Sequence, residues 1–225
     1  MNKEYLDKAI IISNNMINLF NEILDIPKDC FDFIKEIPII INFSSGFCGV
    51  YLESYNQIRV NNFYIEECKN KDDILELARV ITHERIHASR AIFIENIKNT
   101  VDYNIEDPIY KQIFLPCDYD LHNDKDFKKY KGIEEFITNG ISFIVMFYYI
   151  VGDYNKIKEL IDNYKVNDKY DKLNKEEMSL IYSLGPEFIK TFLLSAYNDV
   201  YIDPLDIINE SNKNIISDMY SSTYK

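Results

Sequence analysis

Between Lys71 and Asn96 the sequence carries a long helical pattern that is apolar on more than one side. Ile74, Leu77, Ala78, Ile81, Ala88 and Ile92 form one stripe, and Val80, Ala91 and Ile94 lie on another. A helix of this kind must be central and enclosed by the rest of the chain. Its second stripe also bears His83 and His87, with Glu84 between them, in H-E-R-I-H. Residues four apart lie one turn apart on one face, so both imidazoles reach the same point, and Glu84 projects roughly a hundred degrees round from His83. Burying two imidazoles and a carboxylate is costly unless each finds a partner. A metal ion satisfies all three; imidazole suits Zn²⁺, and a carboxylate beside a metal-bound water can serve as general base. The competing account is a histidine–carboxylate pair buried for structure alone. The chain has three histidines, and two of them are here.

The rest of the chain is expected to enclose that helix. Lys3–Leu24, with Leu6, Ile10, Met16, Leu19, Phe20 and Leu24 at near-helical spacing, predicts an amphipathic helix closed before Pro27. A short helix follows over Asp29–Ile34, ending at Pro38. Then β-branched and aromatic runs at Ile39–Phe43, Phe47–Glu53 and Gln57–Tyr64, separated by turn residues, predict a small sheet of three or more strands. Asp72 or Asp73 is expected to cap the central helix. Thr100–Lys131, with Pro108 and Pro116, is irregular. Gly132–Val151, Tyr154–Tyr164, Lys175–Ser183 and Pro186–Tyr197 read as further helices, punctuated by Gly152, Gly185 and Pro186, and Asp203–Ser211 as one more. The fold class is therefore α+β. A single domain over 1–225 is expected, with a sheet-bearing lobe over 1–98 and a helical lobe over 99–225.

Composition narrows the function. Lys and Arg total 25 against 37 Asp and Glu, a net charge of −12, which offers no basic field for nucleic acid. Cys30, Cys48, Cys68 and Cys117 show no C-x-x-C spacing and read as free buried thiols. The opening M-N-K-E-Y-L-D-K lacks a basic region followed by an apolar one, and the apolar run Ile141–Val151 is too short to span a bilayer. The expectation is a cytoplasmic protein without a membrane partner, although leaderless export would leave the same sequence. Nothing in the sequence fixes an oligomeric state.

A catalytic zinc needs a third protein ligand. Six residues beyond His87 stands Phe93, so that position supplies no third histidine. Downstream, the candidates are Cys117, Asp118, Asp120, His122 and the pair Glu134–Glu135. The pair opens an apolar helix, where a carboxylate wants a partner; the competing account is a solvated first turn favoured by the helix dipole. Glu135 shares its stripe with Thr138, Asn139, Ser142 and Met146, whereas Glu134 aligns with the core-like Ile137, Ile141 and Val145. Glu135 is thus the expected ligand. Asn139, one turn on, and Thr138 are placed to support the ligands, Asn139 by a hydrogen bond to a histidine.

Together, H-E-R-I-H and I-E-E-F-I-T-N resemble the paired motifs of gluzincins, the zincin metallopeptidases whose third ligand is glutamate. Thermolysin-like enzymes carry N-E-A-x-S-D, which sets the ligand on Glu135. Lethal factor-like peptidases carry E-E-F-F-A-E, matching Glu134–Glu135–Phe136, and clostridial neurotoxin light chains carry H-E-L-I-H. Asn139 departs from the usual acidic residue, and the 48 positions from His87 to Glu135 are long for the thermolysin-like layout. Arg85 departs in being charged, and is expected to pair with a carboxylate on the side away from the metal.

The resemblance implies a zincin-like fold, one Zn²⁺ on His83, His87 and Glu135, and hydrolysis of peptide bonds by a zinc-bound water that Glu84 activates. It also implies an oxyanion donor near the metal: Tyr130, five positions before Glu135, with Tyr182, Tyr197 and His122 as alternatives. Peptide or protein substrate would add as a strand along Gly46–Leu52, giving Gly46, Phe47, Cys48 and Gly49 a substrate-binding role. Two other functions fit the same residues: an intracellular regulatory protease acting on a repressor, and an inactive zincin-like binding protein.

Overall fold

The computed structural model describes residues 3–26, 31–43, 47–100 and 125–194, with side chains described outside 91–100, 125–133, 169–170 and 194. It is mostly helical, with one small mixed sheet, and the α+β expectation holds at that level. In chain order the elements are α1 (Lys3–Ile23), α2 (Asp32–Lys35), β1 (Ile39–Asn42), β2 (Gly49–Leu52), β3 (Gln57–Asn61), α3 (Asn62–Glu67), α4 (Lys71–Thr100), α5 (Lys125–Val151), α6 (Ile157–Asp162) and α7 (Lys169–Leu194). The chain divides into two compact units, Met1–Ser89 with Ile141–Tyr164, and Arg90–Gly140 with Lys165–Lys225.

In the first unit the sheet has the order β1-β3-β2, with β1 parallel and β2 antiparallel to β3. The third strand stops short of the expected Tyr64. Asn61 caps a helix there, its side-chain oxygen accepting the Phe63 N–H at 3.0 Å, so the backbone turns away from the ladder and into α3. The start of α4 also differs from expectation. Asn70, not Asp72 or Asp73, is the cap: its side-chain oxygen accepts from the N–H groups of Asp72 (2.7 Å) and Asp73 (3.1 Å). Asp73 reaches back to the N–H of Asn70 at 3.1 Å, completing a reciprocal box.

The buried face of α1 is Leu6, Ala9, Ser13, Met16, Ile17 and Phe20, a stripe in which Ser13 takes a core position while Leu19 is exposed. Ser13 is there to meet α4. Arg85 donates through Nη1 to Ser13 Oγ at 2.7 Å and through Nη2 to the Lys35 carbonyl at 3.3 Å. Thr82 spends its proton on the Ala78 carbonyl at 2.9 Å, so Ser13 is the donor in the 2.8 Å bond between the two hydroxyls. The order Arg85 to Ser13 to Thr82 to Ala78 thus fixes the α4 turn that carries His83 against α1.

Arg85 is fully buried, and among the described residues it has no carboxylate partner, contrary to expectation; its Nε finds no acceptor. Burial lowers its pKa to about 10. A cation whose folded pKa lies below its unfolded value counts against folding at every pH below the folded one. Here that amounts to about 3 kcal/mol at neutral pH, a deficit that closes only as pH rises above about 10. Arg85→Met, which keeps length and removes charge, is therefore expected to hold stability or raise it by about 1–3 kcal/mol, read from the urea midpoint. A loss of several kcal/mol would mean that the Ser13 and Lys35 hydrogen bonds outweigh desolvation.

Also in the first unit, Arg79 donates to Ser142 Oγ on α5 at 2.9 Å and lies 4.2 Å from the Phe143 ring centroid. Within the second unit, Gly140 of α5 lies against α7, where a Cβ would collide with the Ile181 side chain and sit 3.2 Å from the Glu177 carbonyl. At Gly185 (φ 84°) α7 is broken into two helices, as the Gly185–Pro186 punctuation predicts. The window Glu134–Val151 is long and apolar enough to cross a membrane by length and composition, but it is 61% buried inside the protein, and a core helix meets the same criteria. Cys68 is a buried free thiol and Cys48 a half-buried one; Cys30 and Cys117 lie outside the described residues.

Candidate metal centre

His83 and His87 stand where the one-turn spacing of α4 puts them, with Nε2 atoms 3.1 Å apart and ring centroids 4.7 Å apart at 74°. Two nitrogens bound at ~2.0–2.1 Å to one tetrahedral ion would be roughly 3.3 Å apart, so the pair already has near-ligand spacing. Among the described residues, His83, His87 and Glu135 form a group whose ligand atoms all lie within 4.8 Å of one another. Two imidazoles and a carboxylate are a donor set that could hold a divalent metal ion. His83 is buried, while His87 and Glu135 keep part of their surface.

Glu134, one residue away, is committed elsewhere. Arg90 donates through Nε to its Oε1 at 3.1 Å, and through Nη1 to the Phe192 carbonyl at 2.8 Å, with its guanidinium 4.0 Å from the Phe192 ring centroid. The pairing separates the roles of two adjacent carboxylates in a way that helix stripes alone only suggest. No spacing rule marks Arg90 in the sequence as the partner of Glu134.

Glu84 is 7% exposed and lies beneath β2. Its Oε2 accepts the main-chain N–H of Tyr51 at 2.8 Å. Gly49, two residues earlier on the same strand, presents its bare Cα to α4: a Cβ there would stand 2.8 Å from Val80 Cγ1 and 3.0 Å from Glu84 Cγ. What the bare Cα admits is the side chain of the motif glutamate. The Phe47 carbonyl accepts from Asn61 Nδ2 and the Cys48 carbonyl from the Asn61 N–H, both at 2.9 Å, so these two oxygens face β3. Gly46 lies outside the described residues.

The supporting residues behave differently from one another. Asn139 directs its amide protons to α7, to Asn174 Oδ1 at 3.2 Å and to Glu177 Oε2. The Thr138 hydroxyl is buried and makes no hydrogen bond among the described residues. Tyr130 falls within α5, but its side chain lies outside the described set, as do His122, Cys117, Asp118, Asp120 and Tyr197; Tyr182 is half-buried on α7. Comparisons with protein-family models, with curated proteins and with solved structures give no match to this chain.

Proposed function

We propose that this protein is a zinc-dependent metallopeptidase of gluzincin type, hydrolysing peptide bonds in a protein or peptide substrate. The observation that carries the proposal is the convergence of His83, His87 and Glu135 ligand atoms within 4.8 Å, with Glu84 on the next position of the same helix. When bound, zinc supplies a Lewis acid that makes water more acidic and polarises a carbonyl. His83 and His87, one helical turn apart, and Glu135 would hold it. Glu84 has one oxygen on the Tyr51 amide, which leaves Oε1 to accept a proton from the attacking water and return it to the leaving amine. A structural metal site would not require a carboxylate at position 84.

One observation favours a second reading, an inactive metal-binding protein: the same Tyr51 bond gives Glu84 a purely architectural use. Metal content and cleavage separate the two. Freshly purified protein is expected to hold one zinc per chain and to cleave a proteome-derived peptide library. Phenanthroline should abolish that cleavage and added zinc restore it. Zinc without cleavage supports the inactive reading, and protein with no affinity for zinc ends both.

A further inference from the structure

Last in the strand order of the described sheet, β2 does more than border the motif helix. In antiparallel pairing, alternate residues turn their N–H and C=O groups toward the partner strand. The Cys48 carbonyl accepts from Asn61 on β3, so the even-numbered residues of β2 face β3 while Gly49 and Tyr51 face outward. The outward amide of Tyr51 is the one that holds Glu84 Oε2 at 2.8 Å. Gly49 makes the approach possible, because a Cβ at that position would stand 2.8 Å from Val80 Cγ1, 3.0 Å from Glu84 Cγ and 3.2 Å from Oε1, so the Glu84 side chain would have to give way.

We infer that β2 is the positioning element for the Glu84 carboxylate, with the Tyr51 main-chain amide as anchor and Gly49 as the clearance that lets the carboxylate reach it. A glutamate has three side-chain torsions, and pinning one oxygen to a strand amide fixes the direction in which the other presents its lone pairs. Fixing a base in place is worth much of its effect, since a misplacement of about 1 Å costs on the order of 100-fold in rate. The anchor also commits one of the two outward amides of β2, so an extended peptide lying along this edge meets a Tyr51 N–H already engaged. The catalytic purpose of the anchor rests on the peptidase reading; the anchor itself does not.

Amide hydrogen exchange at Tyr51, measured by NMR on the full chain, tests it directly. An outward amide on a sheet edge exchanges quickly unless something accepts from it. Protection at Tyr51 is expected in the wild type, to vanish in Glu84→Ala, and to persist in part in Glu84→Gln, which keeps an acceptor oxygen. Gly49→Ala should remove the same protection while leaving zinc affinity, read by competition with a chromogenic chelator, within about 2-fold, because neither His83 nor His87 is touched. On the peptide library, Gly49→Ala and Tyr51→Pro are expected to lower kcat by about 10–100-fold with KM nearly unchanged. Proline is tolerable at position 51 because the lost N–H is not a ladder donor. A Tyr51 amide that exchanges freely in the wild type, or stays protected in Glu84→Ala, overturns the proposal. Protection that depends on Glu84 in a protein that cleaves nothing supports the anchor and sinks the peptidase reading.

Discussion

Glu84→Gln is expected to lower peptide cleavage by about 10²–10⁴-fold, the range over which a positioned general base contributes, while leaving zinc content and folding as in the wild type. The substitution is nearly isosteric. The amide keeps an oxygen for the Tyr51 N–H, which is 2.8 Å from Oε2 in the native protein, so the local structure has no reason to rearrange. Nor does it remove a ligand, because Glu84 is not among the three residues whose ligand atoms converge. Basicity is what disappears. Cleavage profiles of the two proteins on one peptide library, with metal analysis and urea midpoints on the same preparations, separate these effects. Turnover at the wild-type rate would refute the general-base role. Parallel loss of zinc and activity would show that Glu84 acts on the metal.

The local rules of helix geometry reach part of this site. One-turn spacing of His83 and His87 follows from the period of α4, and the preference for Glu135 over Glu134 follows from which neighbours share their stripes. Partners chosen by tertiary packing lie beyond that reach. Arg90 and Glu134 are 44 positions apart, and no local rule joins them. Ser13 interrupts the apolar stripe of α1 because it meets Arg85, 72 positions away, so the sequence shows only a gap and shifts the inferred face onto Leu19. Arg85 itself reads as a charge in need of a carboxylate, since burying a guanidinium on a hydroxyl and a carbonyl is too costly to expect from sequence. Gly49 reads in the sequence as part of a strand, and its approach to the Glu84 side chain is set by packing. At the start of α4 the cap is Asn70, two residues before Asp72 and three before Asp73, because Asn70 and Asp73 satisfy each other as a pair.

Glu135→Ala is expected to weaken zinc binding by more than about 100-fold, since outer residues alone cost 10–100-fold and a ligand costs more. The adjacent carboxylate is not placed to replace it. Glu134 is held by Arg90, which is 2% exposed and whose guanidinium is fastened to the Phe192 carbonyl and ring, so recruiting Glu134 would strand a buried cation. This gives the experiment a second arm. Arg90→Leu alone should leave His83, His87 and Glu135 able to bind zinc but destabilise the fold, because it frees the Glu134 carboxylate where it is only partly exposed. The third histidine supplies the contrast: His122→Ala is expected to leave zinc affinity unchanged. Isothermal titration of metal-free protein with zinc measures all three. If His122→Ala abolishes binding while Glu135→Ala does not, the third ligand is the histidine, and the carboxylate within 4.8 Å of His83 and His87 would be an acidic neighbour that raises their affinity through charge alone.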